Sequence, residues 1–521
     1  MFVLAAALFA PALRYDFVGW DDQSTIVGND HLRTLRWQSL GYFWTHAVDG
    51  LYIPVAYTAW ALLRAVSGEG GPNPMLFHLA SAILHALAAM VAFDLLRRMT
   101  GNIFAAVAGA MVFAWHPLQV ESVAWASGLK DVLCGLFVLQ SLRRYWQFAA
   151  EGRGRAFYIL SLIAYAIAML CKPIAMVTPI LVGVLDFGLI RTPWRELIRR
   201  IAPMLVLAVP IFVITRVSQT VWEATDTPFY TRPLIAADSL AFYLIKLIWP
   251  VNLSVVYGRA PQWVVDQGWI YYTWIIPTIV VGIAWWFRKS SPLILAGAGV
   301  LVVGLLPVLG LTRFMFQSHS TVADHYMYIP MLGIAMAVAG GIVRMSFRGA
   351  IGAVAAVLVL LAAVSSVQLR YWQNSITLFT RAVEVTPDDS GARGNLGRAL
   401  AQAGRLDEAI PQFERAAALA PYDREERISL AQAMLLKGRY SEATDQARAA
   451  LDLALMQSDP VAETVRENFL LGQALEGLGD LPAAEQHLTI AARQSPNSAA
   501  IRAALERVRG SIASGRPATR P

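Results

Sequence analysis

Cysteine and charge are what this chain has least of. Its 521 residues include two cysteines, Cys134 and Cys171, and only 15% Asp, Glu, Lys and Arg, against 56% apolar residues. Both cysteines lie in or beside apolar segments, so neither a disulfide framework nor a cysteine zinc site is supported. No His-x-His or His-Glu-x-x-His spacing supports zinc through histidine either. So little charge beside so much apolar surface exceeds what a soluble core can hide, and the chain reads as a multi-pass membrane protein. Its net charge of +7 does not indicate nucleic acid, because the Lys and Arg residues fall in short clusters beside apolar runs, where they orient membrane segments.

After Tyr371 no apolar run is long enough to cross a bilayer. The pattern predicts an all-α chain: a polytopic helix bundle over 1–370, helical repeats over 371–510 and a disordered tail over 511–521. Eleven membrane helices are expected near 1–13, 76–96, 102–116, 132–148, 156–171, 173–190, 200–215, 269–287, 292–311, 326–344 and 349–369. The first lacks a charged region before it and a cleavage site before Arg14, which favours a span over a signal sequence. Asp238, Lys246 and Trp249-Pro250 interrupt 234–256, which reads as interfacial or re-entrant. If so, Arg97/Arg98, Arg143/Arg144, Arg191 to Arg200, Arg288/Lys289 and Arg344/Arg348 share one, cytoplasmic, face. Loops 14–75, 116–131, 216–268 and 312–325, the Lys172 turn and the C-terminal region then lie on the extracytoplasmic side. Were 234–256 to cross, the C-terminal region would be cytoplasmic.

The C-terminal region repeats with a period of 34. Asn395-Leu396-Gly397, Leu400, Gly404, Ala409, Phe413, Ala416 and Pro421 match the tetratricopeptide pattern. It recurs at Leu430-Ala431, Met434, Gly438, Ala443 and Ala450, and, after an insertion around 453–463, from Leu471-Gly472 to Pro496. Such units stack into a short solenoid with a concave face. That face is either a platform for an acceptor polypeptide or a scaffold that stabilises the rest.

Chemistry concentrates in the extracytoplasmic loops. Asp21 and Asp22 are adjacent in an aromatic, polar loop, and neighbouring carboxylates repel unless a proton, metal or cation is held between them. His116-Pro-Leu-Gln-Val-Glu121 and Lys130-Asp131 gather four ionisable groups within 16 residues. Lys172 sits on a tight turn, and Asp324-His325-Tyr326 precedes another apolar run. So many ionisable groups at one membrane face point to a functional cavity. Structural readings stay open beside this one: the aspartates could cap a helix near Gln23, Glu121 could pair with Lys130, Lys172 could snorkel, and His116 could end its helix.

Taken together, Gly19-Trp-Asp-Asp22, His116 to Trp125 with Lys130-Asp131, Lys172-Pro173 with Asp186, Leu309-Gly-Leu311, Ala323-Asp-His-Tyr-Met-Tyr-Ile-Pro330, Tyr371-Trp372 and the trailing repeats resemble the transmembrane and tetratricopeptide-repeat proteins. These comprise eukaryotic protein O-mannosyltransferases and their bacterial counterparts. The resemblance implies a GT-C glycosyltransferase with a polyprenyl-phosphate-linked sugar as donor; the chain is expected in a bacterial inner membrane, with the repeats on the periplasmic side that the basic clusters indicate. It also implies that the acidic pair carries the catalytic base or a metal. Asp21 or Asp22 is the expected base. His116, Glu121, Lys130, Asp131, Lys172, Asp324, His325 and Tyr326 are expected to bind substrate and the departing phosphate, with Arg313 a further phosphate partner. No cofactor is certain; a divalent cation such as Mg or Mn stays open, with Asp22 and Glu121 as its ligands. The expected partners are the lipid-linked sugar, membrane lipid and an acceptor protein or peptide in the repeat groove, with no nucleic acid. The expected reaction transfers mannose or another hexose to a Ser or Thr hydroxyl. The alternative is a non-catalytic membrane scaffold for envelope assembly or export.

Overall fold

The structure, a computed structural model, describes residues 1–33, 37–218, 227–456 and 464–514. Among these there is no strand, only an isolated bridge between Val48 and Leu51. Two compact units divide the chain, Met1–Leu378 and Phe379–Pro521.

In the first unit five helices are long and apolar enough to cross a membrane: Pro74–Thr100, Pro173–Ile190, Trp194–Ser218, Trp269–Trp286 and Gly349–Arg370. A sixth candidate is the pair Ile103–Trp115 and Pro117–Ala124, bent by 53°. The break falls at His116-Pro117, where proline cannot continue the preceding hydrogen-bond ladder. Arg155–Cys171, Pro292–Val308 and Met331–Ile342 are shorter apolar helices. The chain is thus a multi-pass membrane protein. The expected first span is a short helix Phe2–Leu8 followed by a 3₁₀ turn Ala10–Arg14. The one expected at 132–148 lies in Leu129–Ala149, whose Lys130, Asp131, Arg143 and Arg144 keep it from being uniformly apolar. Arg232–Ile248 is a 17-residue helix that buries Asp238.

Helix ends follow from local sequence. Asn73 and Asn102 cap their helices by accepting from Met75 N and Ala105 N, and Gly101, at φ +65°, ends the first of them in the left-handed region. Without water to drive association, close backbone approach holds membrane helices together. Gly297 and Gly333 face each other so tightly that a Cβ on either would overlap the other's carbonyl oxygen. Ser141 and Ser161 hydrogen-bond between Leu129–Ala149 and Arg155–Cys171 at 3.0 Å. At one end of the bundle Asp94 takes Arg97, Arg98 and Arg143 at 2.9, 2.8 and 2.5 Å, which joins the basic ends of two helices.

The second unit repeats its contacts as well as its sequence. Asp389 and Asp423 cap the first helices of successive pairs. Arg393 reaches Gln412 at 3.0 Å, and one period later Arg427 reaches Gln446 at 3.1 Å. Gly404, Gly438 and Gly479 make the turns within the pairs with φ between +71° and +84°. The final helix continues to Ser514, past the expected boundary at 511; 515–521 lie outside the described residues, as do 457–463 of the expected insertion.

Candidate functional site

Adjacent residues on a turn point in different directions, and this separates the two aspartates. Asp22 is fully buried. Its Oδ2 accepts from Val18 N at 3.0 Å; its Oδ1 accepts from Ser127 N at 2.9 Å and Ser127 Oγ at 2.6 Å. It therefore staples the Tyr15–Val27 loop onto the turn before Leu129–Ala149. Burial outweighs these bonds and pushes its carboxyl up to about 6. Asp21 instead keeps 44% of its side chain exposed and approaches Lys130 Nζ at 3.3 Å.

Around that contact the remaining ionisable groups close a ring. Lys130 Nζ lies 4.6 Å from the centre of the Trp125 ring. One residue on, Asp131 accepts from Lys172 Nζ at 2.6 Å, and Lys172 stands 5.6 Å from the Tyr326 ring centre. Beside Tyr326, His325 N donates to Glu121 Oε2 at 3.1 Å, and His325 Nδ1 lies 2.9 Å from Glu121 Oε1. Burial and then the Lys172 charge hold His325 down at about 3, so its imidazole is neutral. Trp125 completes the circuit, its ring 5.9 Å from that of His325. A Cβ on Gly135 would strike the Tyr328 ring, and Tyr328 Oη bonds His85 Nδ1 at 2.9 Å, so the 324–328 segment is pressed onto the helix that carries Lys130 and Asp131.

Asp21, Glu121, Lys130, Asp131, Lys172, His325 and Tyr326 thus form one connected cluster from four separate stretches of sequence. Asp324 is adjacent but turned to Tyr257, whose hydroxyl donates to it at 2.7 Å; burial and the Glu121 charge raise its carboxyl well above the usual range. His116 stands apart. Its Nδ1 accepts from Leu118 N at 3.2 Å and its Nε2 meets Leu247 O at 3.1 Å, which is the work of a helix-end residue. Arg313 makes no ion pair among the described residues. Ser127, Trp125 and Tyr257 were not anticipated as site residues. The Trp125-Ala-Ser127 run just before Lys130-Asp131 offered the only sequence signal for two of them.

The two acids that could have held a divalent cation are committed elsewhere, Asp22 to Ser127 and Val18 and Glu121 to His325. Among the described residues no group of three or more His, Cys, Asp or Glu side chains is placed to hold a metal.

A tetratricopeptide-repeat family model matches residues 360–424 and 428–499. The chain is 24% identical over 488 residues to the human protein O-mannosyl-transferase TMTC4, covering 78% of this chain and 64% of that protein. The chain is a homologue of the TMTC proteins. Drosophila melanogaster protein O-mannosyl-transferase Tmtc2 is 26% identical over 54% of this chain and 33% of its own length. The chain spans less than two thirds of the length of these curated relatives. Among solved structures, ArnT from Cupriavidus metallidurans bound to undecaprenyl phosphate aligns with 89% of this chain and 80% of its own, at 15% identity and a TM-score of 0.39.

Proposed function

We propose that this TMTC homologue is a membrane glycosyltransferase of GT-C type. It moves a hexose, with mannose the first candidate, from a polyprenyl-phosphate carrier to a hydroxyl of an extracytoplasmic acceptor, foremost a protein Ser or Thr. The observation that carries the reading is a half-exposed carboxylate, Asp21, held beside the Lys130 ammonium, in one cluster with the Asp131–Lys172 ion pair and the Trp125 and Tyr326 rings.

Each part of that arrangement has a task in such a transfer. Asp21 takes the proton of the acceptor hydroxyl as its oxygen bonds to the anomeric carbon. The bond from that carbon to the carrier's phosphate oxygen breaks, and the electron pair leaves with the lipid phosphate. Lys130 and Lys172 meet the charge that develops there, while Asp131 orients Lys172 and Trp125 orients Lys130. His325, neutral and braced by Glu121, offers Nε2 to a sugar hydroxyl. Asp22 takes no part in the proton transfer and holds the loop that presents Asp21. The name of the TMTC relatives, protein O-mannosyl-transferase, supports the acceptor class. The repeats then serve as the platform for the acceptor chain on the same, extracytoplasmic, side.

The test is transfer of labelled sugar from a polyprenyl-phosphate donor to endogenous protein in membranes expressing wild type or Asp21→Asn. Loss of transfer in a variant that accumulates normally supports the enzyme. Transfer that is undiminished, or absent from wild type across donor sugars while the repeats still recruit partners, supports the scaffold.

A further inference from the structure

A cavity of about 820 Å³ opens between the start of the chain and the end of the Gly349–Arg370 helix. That volume lies within the range of small-molecule sites. One side is apolar and lined by small or flat groups, Ala7, Ala10, Pro11 and Leu369. The other is polar and lined by Arg14, Arg370, Gln373 and Asn374. Asp16 is the one acid in the lining, so the cavity carries one net positive charge. Neither guanidinium is ion-paired to a carboxylate among the described residues.

The walls are fixed. Trp115 Nε1 donates to Leu4 O at 3.1 Å and Ser365 Oγ to Trp115 O at 2.7 Å, which ties the first helix to the last apolar one through Ile103–Trp115. Asp16 N donates to Gln373 O at 3.0 Å, which joins two of the lining residues. Position decides the class of occupant. Arg370 is the last residue of an apolar helix long enough to cross the bilayer, so the cationic side stands at the depth of lipid headgroups and the apolar side at the depth of the chains. A molecule that matches both carries an anionic phosphate on a hydrocarbon tail. The cavity shares an end of the bundle with the Asp21 cluster, since Trp372, two residues beyond Arg370, packs 6.3 Å from the Trp125 ring.

We infer that this cavity is a binding site for a lipid-borne phosphate, with Arg14 and Arg370 clamping the headgroup and the tail lying along Ala7, Ala10, Pro11 and Leu369. It is separate from the reactive cluster and does not depend on the reaction proposed above. Two lipids share the chemistry: a polyprenyl phosphate, the form in which a carrier is left after giving up its sugar, and an anionic phospholipid.

The experiment measures lipid affinity by native mass spectrometry on the full chain in a Lys130→Gln/Lys172→Gln background, which removes the phosphate partners of the reactive cluster. Decaprenyl phosphate, phosphatidylglycerol and phosphatidylcholine are the probes. Adding Arg14→Gln/Arg370→Gln is expected to weaken binding of at least one anionic lipid about tenfold or more, the loss of two charge-assisted contacts, while Arg14→Lys/Arg370→Lys retains most of it. Loss confined to decaprenyl phosphate identifies the carrier, and equal loss for both identifies a general anionic-lipid site. Unchanged affinity in the glutamine pair, or phosphatidylcholine binding as tightly as the anionic lipids in its parent, overturns the assignment. Either contrary result leaves the role of Asp21 untouched.

Discussion

The two units handle charge in opposite ways. In Met1–Leu378 the ionisable groups of the loops are drawn inward and interlocked: Lys130 and Asp131 are each 5% exposed, and every partner comes from a distant stretch of chain. In the repeats most pairs are open to solvent, whether they join neighbouring helices, as Lys437 with Asp407, or lie three residues apart, as Arg405 with Glu408 and Arg439 with Glu442. Charge brought into a low-dielectric setting is costly unless paired, so it persists there for chemistry or for specificity. Charge on a solvated helix costs little and contributes little. The comparison teaches which substitutions should matter to function and which should not.

The largest expected effect lies in the buried ring. Lys130→Gln removes a cation from the developing phosphate charge and should lower the turnover of sugar transfer by about 10²-fold or more, read in membranes with protein level as control. A fall no larger than that of Arg405→Gln in the repeats would erase the distinction between the units. Next comes Asp22→Ala, which strands Val18 N and Ser127 N and should destabilise the loop by about 1–3 kcal/mol. Its expected signature is a lower melting temperature in detergent together with reduced activity, whereas Asp21→Asn should leave the melting temperature in place.

The repeat unit offers a third test because it contains an exception to its own rule. Glu426 is buried under Gly394 of the preceding pair, with Arg398 no nearer than 3.9 Å, and burial raises its carboxyl to about 7. A carboxyl whose folded value is raised favours the folded state below its ordinary value of 4.5 and loses that contribution as pH climbs through about 7. Unfolding of the repeats should therefore become easier between pH 5 and 8 by an amount on the order of 2–3 kcal/mol. Glu426→Gln should flatten that slope, as followed by helical circular dichroism of the full chain. The smallest effect belongs to Arg405→Gln, where the pair is open to solvent and the melting temperature should not move measurably.

Most of this arrangement was legible in the sequence because apolar runs, prolines and a 34-residue period are local signals. Glu121, Lys130, Asp131, Lys172, His325 and Tyr326 drew notice as ionisable or phenolic groups at the edges of apolar segments, and they do meet. What stayed hidden depends on contacts between distant stretches. Asp21 and Asp22 are equivalent on paper, and only the arrival of Ser127, 105 residues away, makes one a staple and leaves the other open. His116 looked like a binding group because imidazole serves both roles, and its ties to Leu118 and Leu247 assign it to the helix break. Tyr257 carried no signal at all, since a tyrosine in a loop rich in aromatic residues is expected at a membrane surface. Eleven apolar segments were legible from composition, while among the described residues length marks out five helices such as Trp194–Ser218 and leaves Met331–Ile342 among the shorter apolar ones.

The most direct test of the central claim, that the open carboxylate of the first loop removes the acceptor's proton, is the single-turnover rate of sugar transfer at saturating lipid donor for Asp21→Asn and Asp22→Asn side by side. The expected result is a drop of about 10²–10⁴-fold for Asp21→Asn with donor binding and melting temperature unchanged, and a much smaller drop for Asp22→Asn that follows its loss of stability. Equal rates for Asp21→Asn and wild type, or the larger drop in a stably folded Asp22→Asn, would contradict it.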